Sequence, residues 1–486
     1  MESNGARLSN RDRHTLVAGA ACVLVTLHSL LLARAFRFNN VDDAYIAFRY
    51  GWHLVHGQGL VFNPGERVEG YTSFLWTVLL APFTSLPVDV VWFSIGFGLV
   101  ASIAAVWGLA GLARRETGGG SWAQAALVLV ALDGTFAFWA AGGLETALFT
   151  ALVIASIVVL ESPLRGPAPW YSGVLLGLAT LTRPEGALLF ALALLQRLAV
   201  RGRAAGPDLR TLALGWAVLV LPHLLWRRVY YGAWLPNTFH NKVTLGGPAL
   251  ATGVEYAWSF VRWRYGVPLL ALLAIARPAY RWMPSLPAAF TIAFVAYVIL
   301  IGGDWPIANR FFVPVIPCVY LLVGRGITRW LRRPAWRAAA LLAVFVAVGV
   351  GTTLHAELHG MVKRHDNVRV ETQRKRFGMW LRDRLPPGTL IAVGPAGAIP
   401  YYSRLPSIDM WGLTDPHIAR VPRTGFQPGH DRTDPAYVLA RRPQLIVGTS
   451  PFRHSGLPPG YFQANGLVPP EARPQEPMLA LPGVLR

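Results

Sequence analysis

The chain has 486 residues, of which 53% are hydrophobic and only 14% are charged, whereas soluble proteins carry about 25% charged residues. Its net charge of +20 comes almost wholly from Arg, and the Arg residues stand in short clusters between apolar runs, as in the cytoplasmic loops of membrane proteins. This distribution argues against a soluble enzyme and against nucleic-acid binding. We therefore predict an all-α polytopic membrane protein with one small polar domain.

Eleven apolar runs are candidate transmembrane helices, because a helix needs about 20 mostly apolar residues to cross a bilayer. They cover residues 15–33, 88–113, 122–140, 144–160, 171–182, 184–198, 211–226, 265–276, 286–301, 311–327 and 335–355. Cys22 and Cys318 both lie inside these runs, which is typical of small core residues and of neither a disulfide framework nor a metal site.

The Arg clusters predict the orientation of the chain. With eleven spans and a cytoplasmic N-terminus, the clusters around Arg11, Arg115, Arg201 and Arg329 all fall on the cytoplasmic side. The segment 73–86 is apolar but only about 14 residues long, so we assign it as an interfacial helix. The richness in Ala, Gly and Arg suggests a bacterial genome, and the predicted location is the bacterial cytoplasmic membrane.

The polarity of the chain predicts two domains. Residues 1–355 form the transmembrane module, whose first outer loop spans residues 35–87. Residues 356–486 have ordinary polarity and follow the last span, so we expect a small extracytoplasmic α/β domain there. It contains a helical stretch at 371–385 and strand-like segments at 390–393 and 445–448, separated by Pro- and Gly-rich stretches.

Two adjacent carboxylates, Asp42 and Asp43, follow the first span. Mutual repulsion and partial desolvation at the membrane boundary raise the pKa of a carboxylate and suit it to accept a proton from a hydroxyl. Arg49 lies near the same helix face and is expected to hold one of them ionised. The alternative is that the pair caps a helix at 44–55, since Asp favours the first turn.

The same loop continues with further polar and aromatic residues. Glu66, Glu69 and Tyr71 follow the turn signal Phe-Asn-Pro-Gly. Carboxylates and aromatic faces suit a sugar-binding surface, and the alternative is a solvated loop.

One pair of charged residues lies near the predicted membrane depth. Arg183 and Glu185 stand where the runs 171–182 and 184–198 meet, and an ionisable residue at that depth indicates a possible functional site. Arg183 is suited to bind a lipid phosphate, and the alternative is that it pairs with Glu185.

The remaining candidates lie in later outer loops. His240 and Lys242 follow a run of aromatic residues, so they are either a basic pair for a phosphate or incidental polar groups in an aromatic interface belt. Asp304 and Arg310 flank a short turn after the span 286–301 and are expected to pair, with Arg310 also a phosphate candidate. No Walker loop, metal-spaced His/Glu cluster or G-x-S-x-G elbow occurs, so nucleotide triphosphate hydrolysis and serine hydrolysis have no support.

Five motifs occur in a fixed order between Val41 and Pro314. They are D-D-A-Y-I-A-F-R-Y, G-L-V-F-N-P-G-E-R-V-E-G-Y-T-S-F-L-W, L-T-R-P-E-G, L-P-N-T-F-H-N-K and G-G-D-W-x-x-x-x-R-F-F-V-P. Together they resemble the motif set of GT-C glycosyltransferases, above all the mycobacterial terminal β-1,2-arabinofuranosyltransferases and their relatives. The similarity to aminoarabinose and protein O-mannosyl transferases is more distant.

This resemblance implies a polyprenyl-phosphate sugar as donor and a hydroxyl of a cell-envelope glycan or glycolipid as acceptor. It implies that Asp42 or Asp43 is the base or the sugar-orienting carboxylate, and that Arg183, Lys242 and Arg310 grip the donor phosphate. The other polar candidates would contact the sugar or the acceptor; they are Arg49, Glu66, Glu69, Tyr71, Glu185, His240 and Asp304. The sequence leaves open whether a divalent metal assists the Asp pair.

Two other functions remain as alternatives. A transporter of lipid-linked sugars would place polar residues through the spans and repeat its halves, and the sequence has neither feature. A scaffold protein that binds envelope glycans would use the C-terminal domain on its own.

Overall fold

The computed structural model describes residues 9–117, 120–161, 167–243, 246–275, 284–304, 308–353, 365–425, 429–448, 452 and 458–485. The membrane-module helices are α1 (Asn10–Ala35), α2 (Asp42–Val55), α3 (Phe74–Leu80), α4 (Val90–Thr117), α5 (Ser121–Leu132), α6 (Gly134–Ala141), α7 (Thr146–Glu161), α8 (Ser172–Thr182), α9 (Gly186–Arg201), α10 (Gly206–Tyr231), α11 (Asn237–Lys242), α12 (Gly247–Arg262), α13 (Leu272–Ile275), α14 (Leu286–Leu300), α15 (Ile316–Trp330) and α16 (Pro334–Thr353). The C-terminal helices are α17 (His365–Arg384), α18 (Ala398–Ser403) and α19 (Pro435–Ala440).

Five helical segments of the described residues are long and apolar enough to cross a membrane. They are Asn10–Ala35, Val90–Arg115, Gly186–Tyr231, Arg310–Trp330 and Pro334–Thr352. The pair α5 and α6, bent by 55°, is a sixth candidate, and α7, α8 and α14 are shorter apolar helices. Each of the eleven predicted runs coincides with helical structure, although the runs 265–276 and 335–355 end outside the described residues. The number of eleven spans and their orientation stay predictions.

The segment predicted to lie at the interface is helical, as expected. It forms α3 and a 3₁₀ turn, Ala81–Ser85, that continues from it. The 3₁₀ turn packs against α2, so the two helices of the first loop form one layer.

The bend between α5 and α6 is fixed by a buried charge. Asp133 caps α6 by accepting a hydrogen bond from the Phe136 amide at 3.0 Å. Its carboxylate also pairs with Arg264 at 2.9 Å and accepts a hydrogen bond from Tyr320 Oη at 2.6 Å. A charge buried at this depth persists when its oxygens are saturated, as they are here.

The C-terminal region contains a five-stranded sheet with the order β2-β1-β3-β5-β4. The strands are β1 (Ile391–Val393), β2 (Ser407–Asp409), β3 (Leu445–Val447), β4 (Phe462–Gln463) and β5 (Met478–Ala480). β1 pairs in parallel with β2 and β3, whereas β5 pairs antiparallel with β3 and β4. All residues of β1, β2 and β3 are buried, as in parallel strands that are covered on both faces.

One hydrophobic core joins the first outer loop to this sheet. Ile46 and Tyr50 of α2 and Phe62 of the loop pack with Ile391 and Val393 of β1. Successive side chains of a strand point to opposite faces, and Ala392 accordingly belongs to the core on the other face. The first loop therefore folds as part of the C-terminal α/β unit and not as a separate surface loop.

Candidate functional site

The site is built around the first turn of α2. This helix begins at Asp42, two residues earlier than predicted, and its N-cap residue Val41 makes no side-chain cap hydrogen bond. Successive helical residues are about 100° apart, so the two carboxylates at the start of α2 face different surroundings. Both residues do lie in the first turn of their own helix, as the alternative predicted, but the N-cap position belongs to Val41.

Asp42 faces the C-terminal region. Its two oxygens accept hydrogen bonds from the amides of Gly397 and Ala398, both at 2.9 Å, so it caps α18. A Cβ on Gly397 would lie 1.9 Å from the Asp42 carbonyl oxygen, so only glycine allows this approach. Burial and the neighbouring Asp43 raise the pKa of Asp42 against the opposing effect of Arg374 and the two amides.

Asp43 faces a space lined by cations. Its side chain is 43% exposed, although groups from four separate segments surround it. Burial by itself would raise the pKa of Asp43, but Lys242, Arg310, His430 and Arg374 together lower it below the ordinary value. The expected upward pKa shift is therefore correct for Asp42 and wrong for Asp43, because the sequence could not show where these cations lie.

Among the described residues, Arg310 lies within ion-pair distance of Asp43. Its Nη1 lies 3.9 Å from an Asp43 carboxylate oxygen. Its Nη2 and Nε contact Asp304 at 2.6 and 2.7 Å, which is the pairing expected between these two residues. Asp304 fixes the guanidinium while one edge of it faces Asp43.

Lys242 supplies a second positive charge to Asp43. It ends α11, whose Asn241 donates a hydrogen bond to the Trp411 carbonyl at 2.6 Å. Arg423 donates to the backbone carbonyl of Lys242 at 2.9 Å. Among the described residues, no acceptor lies within hydrogen-bond or ion-pair distance of the Lys242 ammonium group, so that its charge is available to a ligand.

His240 stands two residues before Lys242 in α11 and is half-buried. Partial burial and the nearby Arg420 and Arg432 lower its pKa, which keeps the imidazole neutral at neutral pH.

Arg183 is held by two carboxylates. It lies 2.6 Å from Glu145 and 2.9 Å from Glu185, and its guanidinium packs over the Phe311 ring. The expected pairing with Glu185 is present, but sequence reasoning missed Glu145, which is 38 residues away. With its charge neutralised twice, Arg183 is better placed to brace the turn between α8 and α9 than to bind a phosphate.

Among the described residues, Arg49 contacts no carboxylate, and the expectation that it ionises one of the Asp pair is wrong. It donates to the carbonyls of Phe62 and Leu405, both at 2.7 Å, and to the carbonyl of Pro400. Seven residues along a helix correspond to about 10 Å, which is too far for contact with Asp42. Its role is to join the first loop to the C-terminal region, and burial there lowers its pKa to about 9.

Glu69 and Tyr71 do not form an open sugar-binding surface. Glu69 is buried in an ion pair with Arg227 at 2.7 Å, and burial raises the pKa of Glu69 to about 7. Tyr71 is buried beside Tyr231, with 3.1 Å between the hydroxyls. Their apolar and charged partners lie in α10, which the loop sequence does not reveal.

Glu66 is far more exposed than Glu69. It accepts a hydrogen bond from Asn63 at 2.9 Å and pairs with Arg441 of the C-terminal region at 2.7 Å. It therefore lies at the junction and away from Asp43.

The structure brings Asp43, Lys242, Arg310 and Asp304 together and adds residues that sequence reasoning missed. Arg374 of α17 and His430 both reach the site from more than 300 residues along the chain. No local motif marks either residue, since both belong to polar stretches that are typical of a solvated surface. Within the described residues, no group of three or more His, Cys, Asp or Glu side chains is arranged to hold a metal ion.

The sequence is similar to curated proteins named terminal β-(1→2)-arabinofuranosyltransferase. The one from Mycobacterium tuberculosis is 32% identical over 376 residues, which are 66% of this chain and 58% of that protein. The one from Corynebacterium glutamicum is 29% identical over 326 residues, which are 56% of this chain and 46% of that protein. The chain thus spans about half the length of the curated relatives it matches. Residues 363–475 also match the model of a domain of unknown function (DUF8728).

The fold is similar to that of solved membrane proteins. The crystal structure of ArnT from Cupriavidus metallidurans bound to undecaprenyl phosphate has a TM-score of 0.62 at 13% identity, and the match covers 96% of this chain and 99% of that one. An oligosaccharyltransferase from Archaeoglobus fulgidus in the apo form has a TM-score of 0.50 at 10% identity, covering 82% and 64%. The predicted fold class is confirmed. The chain is a multi-pass membrane protein of the GT-C fold, with a sequence similar to that of the terminal β-(1→2)-arabinofuranosyltransferases.

Proposed function

We propose that this protein is a membrane glycosyltransferase that moves a sugar from a polyprenyl-phosphate donor to a hydroxyl of a cell-envelope glycan or glycolipid. The observation that carries the proposal is one exposed carboxylate, Asp43, surrounded by the cations Lys242, Arg310, Arg374 and His430. A phosphate leaving group needs the positive charge, and an attacking hydroxyl needs the carboxylate.

In the proposed transfer the positively charged residues act on the phosphate and the carboxylate acts on the acceptor hydroxyl. The acceptor oxygen forms a bond to the anomeric carbon of the donor sugar, the bond from that carbon to the phosphate oxygen breaks, and its electron pair leaves with the phosphate. Lys242 and Arg310 stabilise the charge that develops on this phosphate. Asp43 orients the acceptor hydroxyl and takes its proton. A pKa below the ordinary value keeps Asp43 ionised at neutral pH, as an acceptor of this proton must be, although it makes the carboxylate a weaker base.

The choice of donor class rests on the similar proteins. The ArnT structure was solved with undecaprenyl phosphate, which supports a lipid phosphate. The names of the curated relatives support arabinofuranose as the sugar and a glycan as the acceptor. We further propose that the reaction takes place on the outer side of the bacterial cytoplasmic membrane, with the C-terminal domain, residues 356–486, on that side. His240, near Arg420 and Arg432, stays our candidate for contact with the acceptor.

The other candidate residues take supporting roles in this proposal. Asp304 fixes Arg310, and Glu185 with Arg183 braces the turn between α8 and α9. The remaining loop residues hold the junction with the C-terminal region; they are Arg49, Glu66, Glu69 and Tyr71.

The proposal is tested with the full-length protein in lipid nanodiscs, a radiolabelled polyprenyl-phosphate arabinofuranose and an arabinoside acceptor. We expect Asp43→Asn to reduce product formation by about 10² to 10⁴, the range typical of a general base, while the melting temperature stays unchanged. Asp383→Asn is the matched control, because Asp383 is exposed at the end of α17 and pairs only with Arg382 among the described residues. Full transfer by Asp43→Asn would contradict the assignment of Asp43.

The transporter alternative predicts a different outcome. A transporter would move the lipid-linked sugar across a vesicle membrane when no acceptor is present. It would also form no product when the acceptor is added. These two results together would contradict the transferase proposal.

A further inference from the structure

Arg374 of α17 connects other residues of the C-terminal region with the carboxylate pair Asp42 and Asp43. Its Nη1 is 3.0 Å from Glu371 Oε1 and its Nη2 is 2.6 Å from Glu476 Oε1. The same Nη1 is 3.8 Å from Asp42 Oδ1. Two carboxylates of the C-terminal region thus fix the guanidinium. Its Nη1 atom, which contacts Glu371, also faces Asp42.

The surroundings of Arg374 contain more acid than one cation can neutralise. Glu371, Glu476 and Asp42 are all largely buried around it, and one oxygen each of Glu371 and Glu476 is buried without a hydrogen-bond partner among the described residues. Without the guanidinium, three acidic groups would face one another next to Asp43. Loss of the guanidinium would remove the positive charge that favours the ionised forms of Asp42 and Glu371 in a partly desolvated site.

Asp42 transmits the position of the C-terminal region to Asp43. Both Asp42 oxygens are used by the amides of Gly397 and Ala398, so its side chain has one fixed orientation. Asp43 is the next residue of the same helical turn and therefore takes its position from Asp42.

We infer that Arg374 is a positioning residue that locks Asp42 onto the C-terminal region and thereby aims Asp43 at the reacting groups. This inference rests on the proposed function. It means that the membrane module does not hold a complete site by itself, and that the region similar to DUF8728 contributes a structural part of it.

The next residue of α17 shows what a purely docking contact looks like. The Lys375 ammonium pairs with Asp89 at 2.5 Å, and Tyr402 Oη donates to the same carboxylate at 2.8 Å. Asp89 stands before α4 and does not contact the Asp42 carboxylate among the described residues. Lys375 is therefore a matched control on the same helix and the same junction.

The experiment compares Arg374→Met, Arg374→Lys and Lys375→Met in the transfer assay over a range of pH. We expect Arg374→Met to lower kcat by about 10-fold or more, with a smaller change in the donor KM, because misorientation acts on the transition state more than on binding. Arg374→Lys should restore part of kcat. Lys375→Met should keep kcat close to that of the unmodified protein.

The acid limb of the pH–rate profile distinguishes a positioning role from a docking role. Loss of a contact that only docks the two regions would not shift this limb. The charged groups facing Asp43 are Asp42 of its own helix, Lys242 of α11, Arg310, His430 and Arg374, while Glu371 and Glu476 face Arg374. Removing one positive charge raises the pKa of the Asp pair, so the acid limb of Arg374→Met moves to higher pH. It stays in place in Lys375→Met.

Hydrogen–deuterium exchange of residues 42–48 supplies a measurement that does not depend on activity. Arg374→Met should speed exchange there, and Lys375→Met should not. An unchanged kcat, acid limb and exchange in folded Arg374→Met would overturn the inference, as would equal losses in both variants. If the unmodified protein transfers no sugar, the proposed function fails, and the exchange comparison still decides whether Arg374 positions this turn.

Discussion

Adjacent residues of one helical turn have opposite electrostatic environments in this protein. The Asp42 carboxylate is engaged by backbone amides and by Arg374, and burial raises its pKa. The Asp43 carboxylate is accessible, and four cations lower its pKa. Asp42 therefore has a structural role, whereas Asp43 is available for the reaction. The difference depends on the direction in which each side chain projects from α2.

Glu371 predicts a pH dependence of stability. Burial, opposed in part by Arg374, raises its pKa from 4.5 to about 8, so the folded protein binds a proton there that the unfolded chain has released by neutral pH. The stabilisation is complete below about pH 4.5 and is lost as the pH rises through 8. Glu371→Gln is always neutral, and its melting temperature should fall less between pH 5 and 8.5.

The control for this measurement is Glu255→Gln, since Glu255 is exposed in α12. Its pH dependence should match that of the unmodified protein. Parallel melting curves for Glu371→Gln and the unmodified protein at all pH values would show that Glu371 is ionised in the folded state.

At the scale of elements, small residues let the membrane helices approach closely. Gly98 of α4 lies so close to α6 that a Cβ would be 2.1 Å from the carbonyl oxygen of Ala140. Gly96, two residues earlier in the same helix, has no heavy atom within 4 Å of the corresponding position. Interfaces between membrane helices are commonly built on such residues.

This contrast predicts opposite effects for two similar substitutions. Gly98→Ala must move α6 and should destabilise the protein by about 1–3 kcal/mol, as overpacking does. Gly96→Ala should be neutral or stabilising by up to about 1 kcal/mol, because Ala favours a helix. Thermal unfolding in detergent measures both, and equal stability of the two variants would contradict the close contact of α4 and α6.

At the scale of the whole molecule, asparagine side chains fasten the membrane module to the C-terminal sheet. Asn63 donates to the Ser407 carbonyl at 2.8 Å and accepts from the Ser407 amide at 3.0 Å, so it extends the edge strand β2. Asn237 donates to carbonyls of the segment after β2, those of Gly412 and Leu413, both at 3.0 Å. The site depends on this junction because its cations come from both sides.

We predict that the double variant Asn63→Ala, Asn237→Ala loosens the junction and lowers transfer activity without unfolding the membrane helices. Buried carbonyls and an amide then lack partners, at a cost of about 1–3 kcal/mol each. Hydrogen–deuterium exchange of the Ser407 amide should become faster, because it loses its acceptor Asn63. Gln58→Ala, an exposed change in the same loop, should leave this exchange unchanged, and unchanged exchange in the double variant would contradict the prediction.

The helical membrane fold follows from the sequence alone, because long apolar runs have no stable alternative to helices in a bilayer. The sequence also predicts the helix and the strands β1 and β3 of the C-terminal region, and its ordered motifs single out the Asp pair. The burial of Arg49, Glu69 and Tyr71 at the junction is visible only in the folded structure, as is the approach of Arg374 and His430 to the pair. The reason is that helix and strand formation depends on neighbouring residues, whereas the charge around Asp43 is assembled from segments hundreds of residues apart.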